Sequence, residues 1–296
     1  MWCLMAILLA DSVHAFDIAL SAKESLHVEV SGHGTPVVLV PGLFGSAYAF
    51  RDVVPMLTES GYRTIVIEPL GVGASAKPER ANYSLTAQAD RVAAVLDTLA
   101  IRQAIVVAHS VGGSEGFRLA YRRPDLVRAL ITIEGGPAET AATPAFKRAM
   151  RFTPWIKLLG GVKLIRWKIR QMLIASSGDA SWVTDSVVVG YTAAAARDLD
   201  GTLKAFIGVA NAREPSKIQP HLGEIACPVL LMIGTAPHQG DVGPDEITLL
   251  ERTLPHFILD SVPGAGHFLY EEHPQSVLLA VHRATAAVHP SGAGAP

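Results

Sequence analysis

Positions 26–30 alternate apolar and polar side chains, the period-2 pattern of a half-buried strand, and predict an antiparallel edge strand. Positions 36–40, 104–108, 128–133 and 228–233 are nearly unbroken apolar runs, as expected for strands buried on both faces. Residues 63–67 and 256–262 read as two more strands. Between the strands, 48–60, 85–99, 114–122, 246–254 and 274–287 predict helices. In 85–99, Val92, Val95, Leu96 and Leu99 share one face. Strands alternating with helices give an α/β protein with a mostly parallel sheet covered on both faces. The rhythm stops after position 137 and resumes at 223. Residues 138–222 read as a mostly helical insertion, 16–137 and 223–290 as one core, and 291–296 as a small polar tail expected to be disordered.

One junction carries more chemistry than the others. The 104–108 run leads through His109 to Ser110, then Val111, Gly112 and Gly113, and a helix follows. A strand turning sharply into a helix strains the serine backbone and lifts its hydroxyl clear of the sheet edge. The Val111 N–H, at the helix start, points where an oxyanion would form. The segment 41–46, Pro-Gly-Leu-Phe-Gly-Ser, follows the 36–40 strand and places the Leu43 N–H as a second donor. Ligand chemistry in such sheets lies at the carboxyl ends of strands, and Leu43, Ser110, Glu134 and His267 all follow strand ends.

A serine hydroxyl needs a base within hydrogen-bond reach, and the base needs an orienting acid. His109 is a poor base, because adjacent strand residues point to opposite faces. His267 sits on the glycine-flanked loop 263–267 and is free to reach across. Two acids compete: Glu134, directly after the 128–133 strand, and Asp241, in a glycine-containing loop after 228–233. Glu134 is favoured because it lies closer to a rigid strand end. The loop 68–75 contains Gly-x-Gly, but its third glycine is missing and Pro69 interrupts the turn, which argues against a dinucleotide site.

Length and composition agree with this frame. The chain has 296 residues, 49% of them hydrophobic, and a formal charge of −2, enough for one large core plus an insertion. Near-neutral charge gives no reason to expect a nucleic-acid partner. No metal is expected, since no Cys/His cluster has zinc spacing, and the two cysteines, Cys3 and Cys227, cannot form a disulfide framework. Cys227 reads as a small buried hydrophobe. Residues 1–15 are favoured narrowly as a cleaved secretory signal over a buried N-terminal segment, implying a secreted or periplasmic protein and otherwise a cytoplasmic one. The insertion carries eight Lys and Arg residues and no acid from 141 to 178, interleaved with Trp, Leu and Ile. That pattern allows contact with an anionic membrane surface, though solvation of the basic side with the apolar side over the pocket is the favoured reading.

The residues 41–46, 68–75, 108–112 and 263–267 together resemble the α/β-hydrolase superfamily, over nearly the whole chain. The resemblance implies an eight-stranded sheet, a helical cap and a hydrolase with no cofactor. Three positions depart from its pattern: Pro41 replaces the common His, Ala108 the first Gly of Gly-x-Ser-x-Gly, and Pro237 the common acid. Serine at 110 argues against the haloalkane dehalogenases and epoxide hydrolases, which resemble this chain but use Asp there. The expected function is a carboxylesterase or lipase-like enzyme acting on an apolar ester. A carbon–carbon bond hydrolase, a perhydrolase and a non-catalytic ligand receptor on the same scaffold are the alternatives.

Overall fold

The computed structural model describes residues 12–288. Eight strands form one sheet: β1 (His14–Ala19), β2 (Ser25–Ser31), β3 (Thr35–Val40), β4 (Tyr62–Ile67), β5 (Ala104–His109), β6 (Val127–Ile133), β7 (Val229–Gly234) and β8 (Phe257–Val262). Their spatial order is β1-β2-β4-β3-β5-β6-β7-β8. β1 and β2 are antiparallel to their neighbours and the rest of the sheet is parallel.

The apolar runs are explained by two cores. Val38 and Val40 of β3 face one core and Val37 and Leu39 the other. In β5, Val106 and Ala108 divide from Ile105 and Val107 in the same way. Each fully buried side chain of this kind contributes about 1.5–3 kcal/mol.

Helices α1 (Val53–Glu59), α2 (Leu85–Thr98) and α3 (Val111–Arg122) belong to the first half of the core. The Ser84 hydroxyl accepts the Ala87 N–H and caps α2. Between β6 and β7 come six helices: α4 (Pro144–Met150), α5 (Thr153–Leu159), α6 (Val162–Ala175), α7 (Asp185–Tyr191), α8 (Ala193–Arg197) and α9 (Leu199–Asn211). The core closes with α10 (Pro244–Thr253), α11 (Leu269–Glu272) and α12 (Pro274–Val288).

Several local expectations need correction. The strand at 26–30 is not the edge: β1 pairs outside it, Phe16 opposite Val28. The helix expected over 48–60 divides into a 3-10 turn, Ala47–Phe50, and α1. α3 begins at Val111 rather than 114. The leader expected over 1–15 lies mostly outside the described residues, although His14 and Ala15 pair with Val30 and Glu29 in β1. The tail at 291–296 also lies outside the described residues.

The insertion is fastened to the core through a buried carboxylate. Glu271 in α11 accepts two bonds from Arg51, at 2.7 and 2.6 Å, and one from the Tyr191 hydroxyl of α7, at 2.5 Å. Burial pushes the Glu271 carboxyl up, while Arg51 and Tyr191 pull it back.

Candidate functional site

The junction between β5 and α3 has the expected strain. Ser110 sits at φ 53° and ψ −121°, a left-handed backbone that a residue with a side chain holds only when its surroundings enforce it. Its N–H is tied to the Ile133 carbonyl at 2.9 Å. Packing at the corner requires missing side chains. A Cβ on Gly112 would lie 2.9 Å from the Val40 and Pro41 carbonyl oxygens, and one on Gly135 would lie 2.4 Å from the Ser110 carbonyl. Ala108 is tolerated because Gly116 packs beneath it, where an added Cβ would sit 3.5 Å from that of Ala108.

Ser110 and His267 line the same cavity, of about 470 Å³. Leu43, Val111, Glu134 and Asp241 also line it. The Leu43 and Val111 N–H groups donate to no acceptor among the described residues. The loop carrying Leu43 is braced from below by Glu68, whose buried carboxylate accepts the Ala47 N–H at 2.7 Å and the Ala74 N–H at 2.5 Å. The glycine-rich stretch 68–75 is therefore a structural clasp: a Cβ on Gly73 would overlap the Glu68 carboxylate.

His267 is held by its backbone. Its N–H donates to the Ser176 carbonyl at 2.8 Å, and its own carbonyl accepts from His109 Nε2 at 3.0 Å. That bond fixes the His109 tautomer and leaves Nδ1 to accept from the Tyr270 hydroxyl at 3.4 Å. His109 is thus a positioning residue, packed ring against ring with His267 at 4.7 Å. Burial holds the His267 imidazole down at about 4; His238 adds to this, and Gly240 and Asp241 oppose it.

Glu134 is buried and also has a left-handed backbone, with φ 46°. Its Oε1 accepts the Gly234 N–H at 2.5 Å and lies 3.4 Å from His238 Nε2. Burial raises its pKa, against the pull of Gly234, His238 and Val242. His238 Nδ1 donates to the Ala236 carbonyl at 2.7 Å. In a neutral ring with that tautomer, Nε2 presents a lone pair toward the Glu134 carboxylate.

Glu134, His238 and His267 each place one ligand atom within 4.8 Å of the others. Glu134 Oε2, His238 Nε2 and His267 Nδ1 are all buried and lack a hydrogen-bond partner. Two imidazoles and a carboxylate are a donor set that can hold a divalent transition metal. Ligation at His267 Nδ1 would leave the opposite nitrogen a poor base, so a metal there and proton abstraction by His267 exclude each other. His238 escapes sequence reasoning because its loop has no periodicity; a histidine one residue after Pro237, where the resemblance places an acid, was the available signal. Cys227 is partly buried against the core, and burial pushes its thiol up to about 11, the inert state expected of it.

A second chamber, of about 920 Å³, adjoins the first and shares Leu43, Phe44, Phe146 and Met172 with it. Its walls are chiefly apolar side chains of α4, α5, α6 and α9, with Lys77 and Lys168 among them. Among the described residues, the cavity beside Ser110 has neither Lys nor Arg in its lining.

The family model described as α/β hydrolase fold matches residues 35–161. This chain has the α/β-hydrolase fold. Known hydrolases resemble it over most of its length. A 2-(acetamidomethylene)succinate hydrolase of Mesorhizobium japonicum is 26% identical over 263 residues, 87% of this chain and 90% of its own. An sn-1-specific diacylglycerol lipase of Mus musculus is 24% identical over 252 residues, 83% and 79% of the two chains. Among solved structures, the epoxide hydrolase CorEH superposes with a TM-score of 0.77 at 22% identity, covering 94% of this chain and all of that one.

Proposed function

We propose that this α/β hydrolase cleaves carboxylic esters through an acyl-enzyme on Ser110. The observation that supports this most is the convergence of Ser110, His267 and Glu134 on one cavity, with His267 Nδ1 and Glu134 Oε2 both buried and unpartnered. In this reading the Ser110 hydroxyl attacks the ester carbonyl while His267 takes its proton. The Leu43 and Val111 amides receive the oxyanion, each worth about 3 kcal/mol in the transition state. The proton on His267 passes to the leaving alkoxide. Water, deprotonated by the same ring, then releases the acid and frees Ser110. Glu134 orients the imidazole.

The nucleophile separates this reaction from that of the epoxide hydrolases and haloalkane dehalogenases. Those use a carboxylate, whose alkyl ester water can cleave. A serine attacking the same carbon would form an ether that water does not cleave. The chambers separate it from a dicarboxylate substrate such as the one the Mesorhizobium relative is named for. Among the described residues no Lys or Arg borders the cavity at Ser110, and the adjoining chamber is chiefly apolar, which suits an acyl or aromatic ester.

Treatment with a fluorophosphonate, followed by peptide mass analysis, tests the reading. The expected adduct is on Ser110, with turnover of p-nitrophenyl esters lost in step with labelling. Labelling elsewhere, or full activity after labelling, overturns it.

A further inference from the structure

Among the described residues, five of the twelve exposed large apolar side chains fall within sixteen residues of the insertion. Phe152, Trp155, Leu158, Leu159 and Trp167 are 64, 55, 74, 68 and 54% exposed. They occupy α5, the residue before it, and the outer side of α6. Scattered exposed apolar residues need no explanation, but a cluster of this density marks an interaction surface.

Charge identifies what meets it. Eight Lys and Arg residues and no acid occupy 140–178. Arg148, Arg151, Lys163 and Lys168 are exposed and form no ion pair among the described residues. Lys168 lies over the Trp167 ring at 4.7 Å. Two copies of so basic a face repel one another, which argues against self-association. A nucleic acid would satisfy the charge but leave Leu158 and Leu159 in water. An anionic lipid surface satisfies both: phosphates take the cations, and the indoles and leucines enter the headgroup and acyl boundary.

We propose that α5 and the outer side of α6 dock this protein on anionic bilayers. Phe152, Trp155 and Leu159 also wall the apolar chamber, so the docked face places that chamber against the membrane. The docking is independent of the ester reading; only the delivery of an apolar substrate from the membrane rests on it.

The test uses the full chain with vesicles of phosphatidylcholine alone or with about 30% phosphatidylglycerol. Cosedimentation is expected with the anionic vesicles, at least about tenfold stronger than with neutral ones and weakened by salt. Two double variants separate the contributions, and neither touches a residue lining either chamber. Leu158→Glu with Trp167→Glu, and Arg151→Glu with Lys163→Glu, should each lower anionic-vesicle binding about tenfold or more. Both should keep wild-type turnover of a soluble ester. Equal binding to the two vesicle types, no binding to either, or unchanged binding by both variants overturns the proposal. So does a stable dimer in solution that buries this face, or a preference for DNA over the anionic vesicles.

Discussion

Glu134 Oε1 and His238 Nε2 lie 3.4 Å apart, both side chains buried, on the loops that follow β6 and β7. The pair lies within ligand distance of His267, so the acid proposed to orient the base is already engaged by a second imidazole. The site differs in this from a simple serine–histidine–acid relay, and the difference has measurable consequences.

Replacing Glu134 by Gln keeps the volume and removes the charge. kcat is expected to fall by about 10⁴-fold, as when a triad acid is made neutral. Asp241→Asn is expected to change kcat by less than about threefold, as for a loop charge that acts on His267 only across space. Steady-state kinetics on a p-nitrophenyl ester check both, and the reverse ranking would assign the acid to Asp241.

The base must be neutral to accept a proton. With His267 held down at about 4 by burial and by His238, kcat/KM is expected to stay level from neutrality to about pH 5 and fall through about pH 4. His238→Gln removes a neighbour that lowers this pKa, so the acid limb should move upward. Stability carries the same sign. In the unfolded chain the ring titrates near its ordinary 6.5. Between 6.5 and 4 the unfolded state therefore binds more protons. The folded state is at full stability above that window and loses it as pH falls. His109, also pushed down by burial, adds to the loss. Thermal melts between about pH 7 and pH 4.5 should show Tm falling with pH.

Metal chemistry gives an independent check on the roles of Glu134, His238 and His267. Chelation with EDTA is expected to leave turnover unchanged, and excess Zn²⁺ to lower it reversibly by taking His267 Nδ1. Activity abolished by EDTA and restored by Zn²⁺ would replace the serine mechanism with a metal-dependent one.

Fastening of the insertion rests on Glu271. Arg51→Ala leaves that carboxylate, 1% exposed, with the Tyr191 hydroxyl as its remaining bond. Stability to urea is expected to fall by about 2–4 kcal/mol. Tyr191→Phe removes a single bond and should cost about 1 kcal/mol.

Much of the site is legible from local pattern. The apolar runs of β3, β5, β6 and β7 announce themselves because both faces of each are buried, and the small residues after Ser110 announce the corner because strand and helix nearly touch there. Ser110, His267, Glu134, Leu43 and Val111 all come to the carboxyl edge of the sheet around one cavity. What tertiary packing alone decides does not show. β1 is six residues, the first two of them inside the segment read as a leader, and α11 is four residues long, too short for a helical period. The engagement of Glu134 by His238 joins residues a hundred positions apart across two irregular loops. Glu68, in a stretch read only for its glycines, proved to be the clasp beneath the Leu43 loop.

The hydroxyl of Ser110 carries the proposed chemistry. The direct measurement is kcat of Ser110→Ala on the best p-nitrophenyl ester, with circular dichroism and Tm recorded on the same sample. A loss of about 10⁴-fold or more with the fold intact is the expected result. Turnover within about tenfold of wild type, in a folded protein, would contradict it.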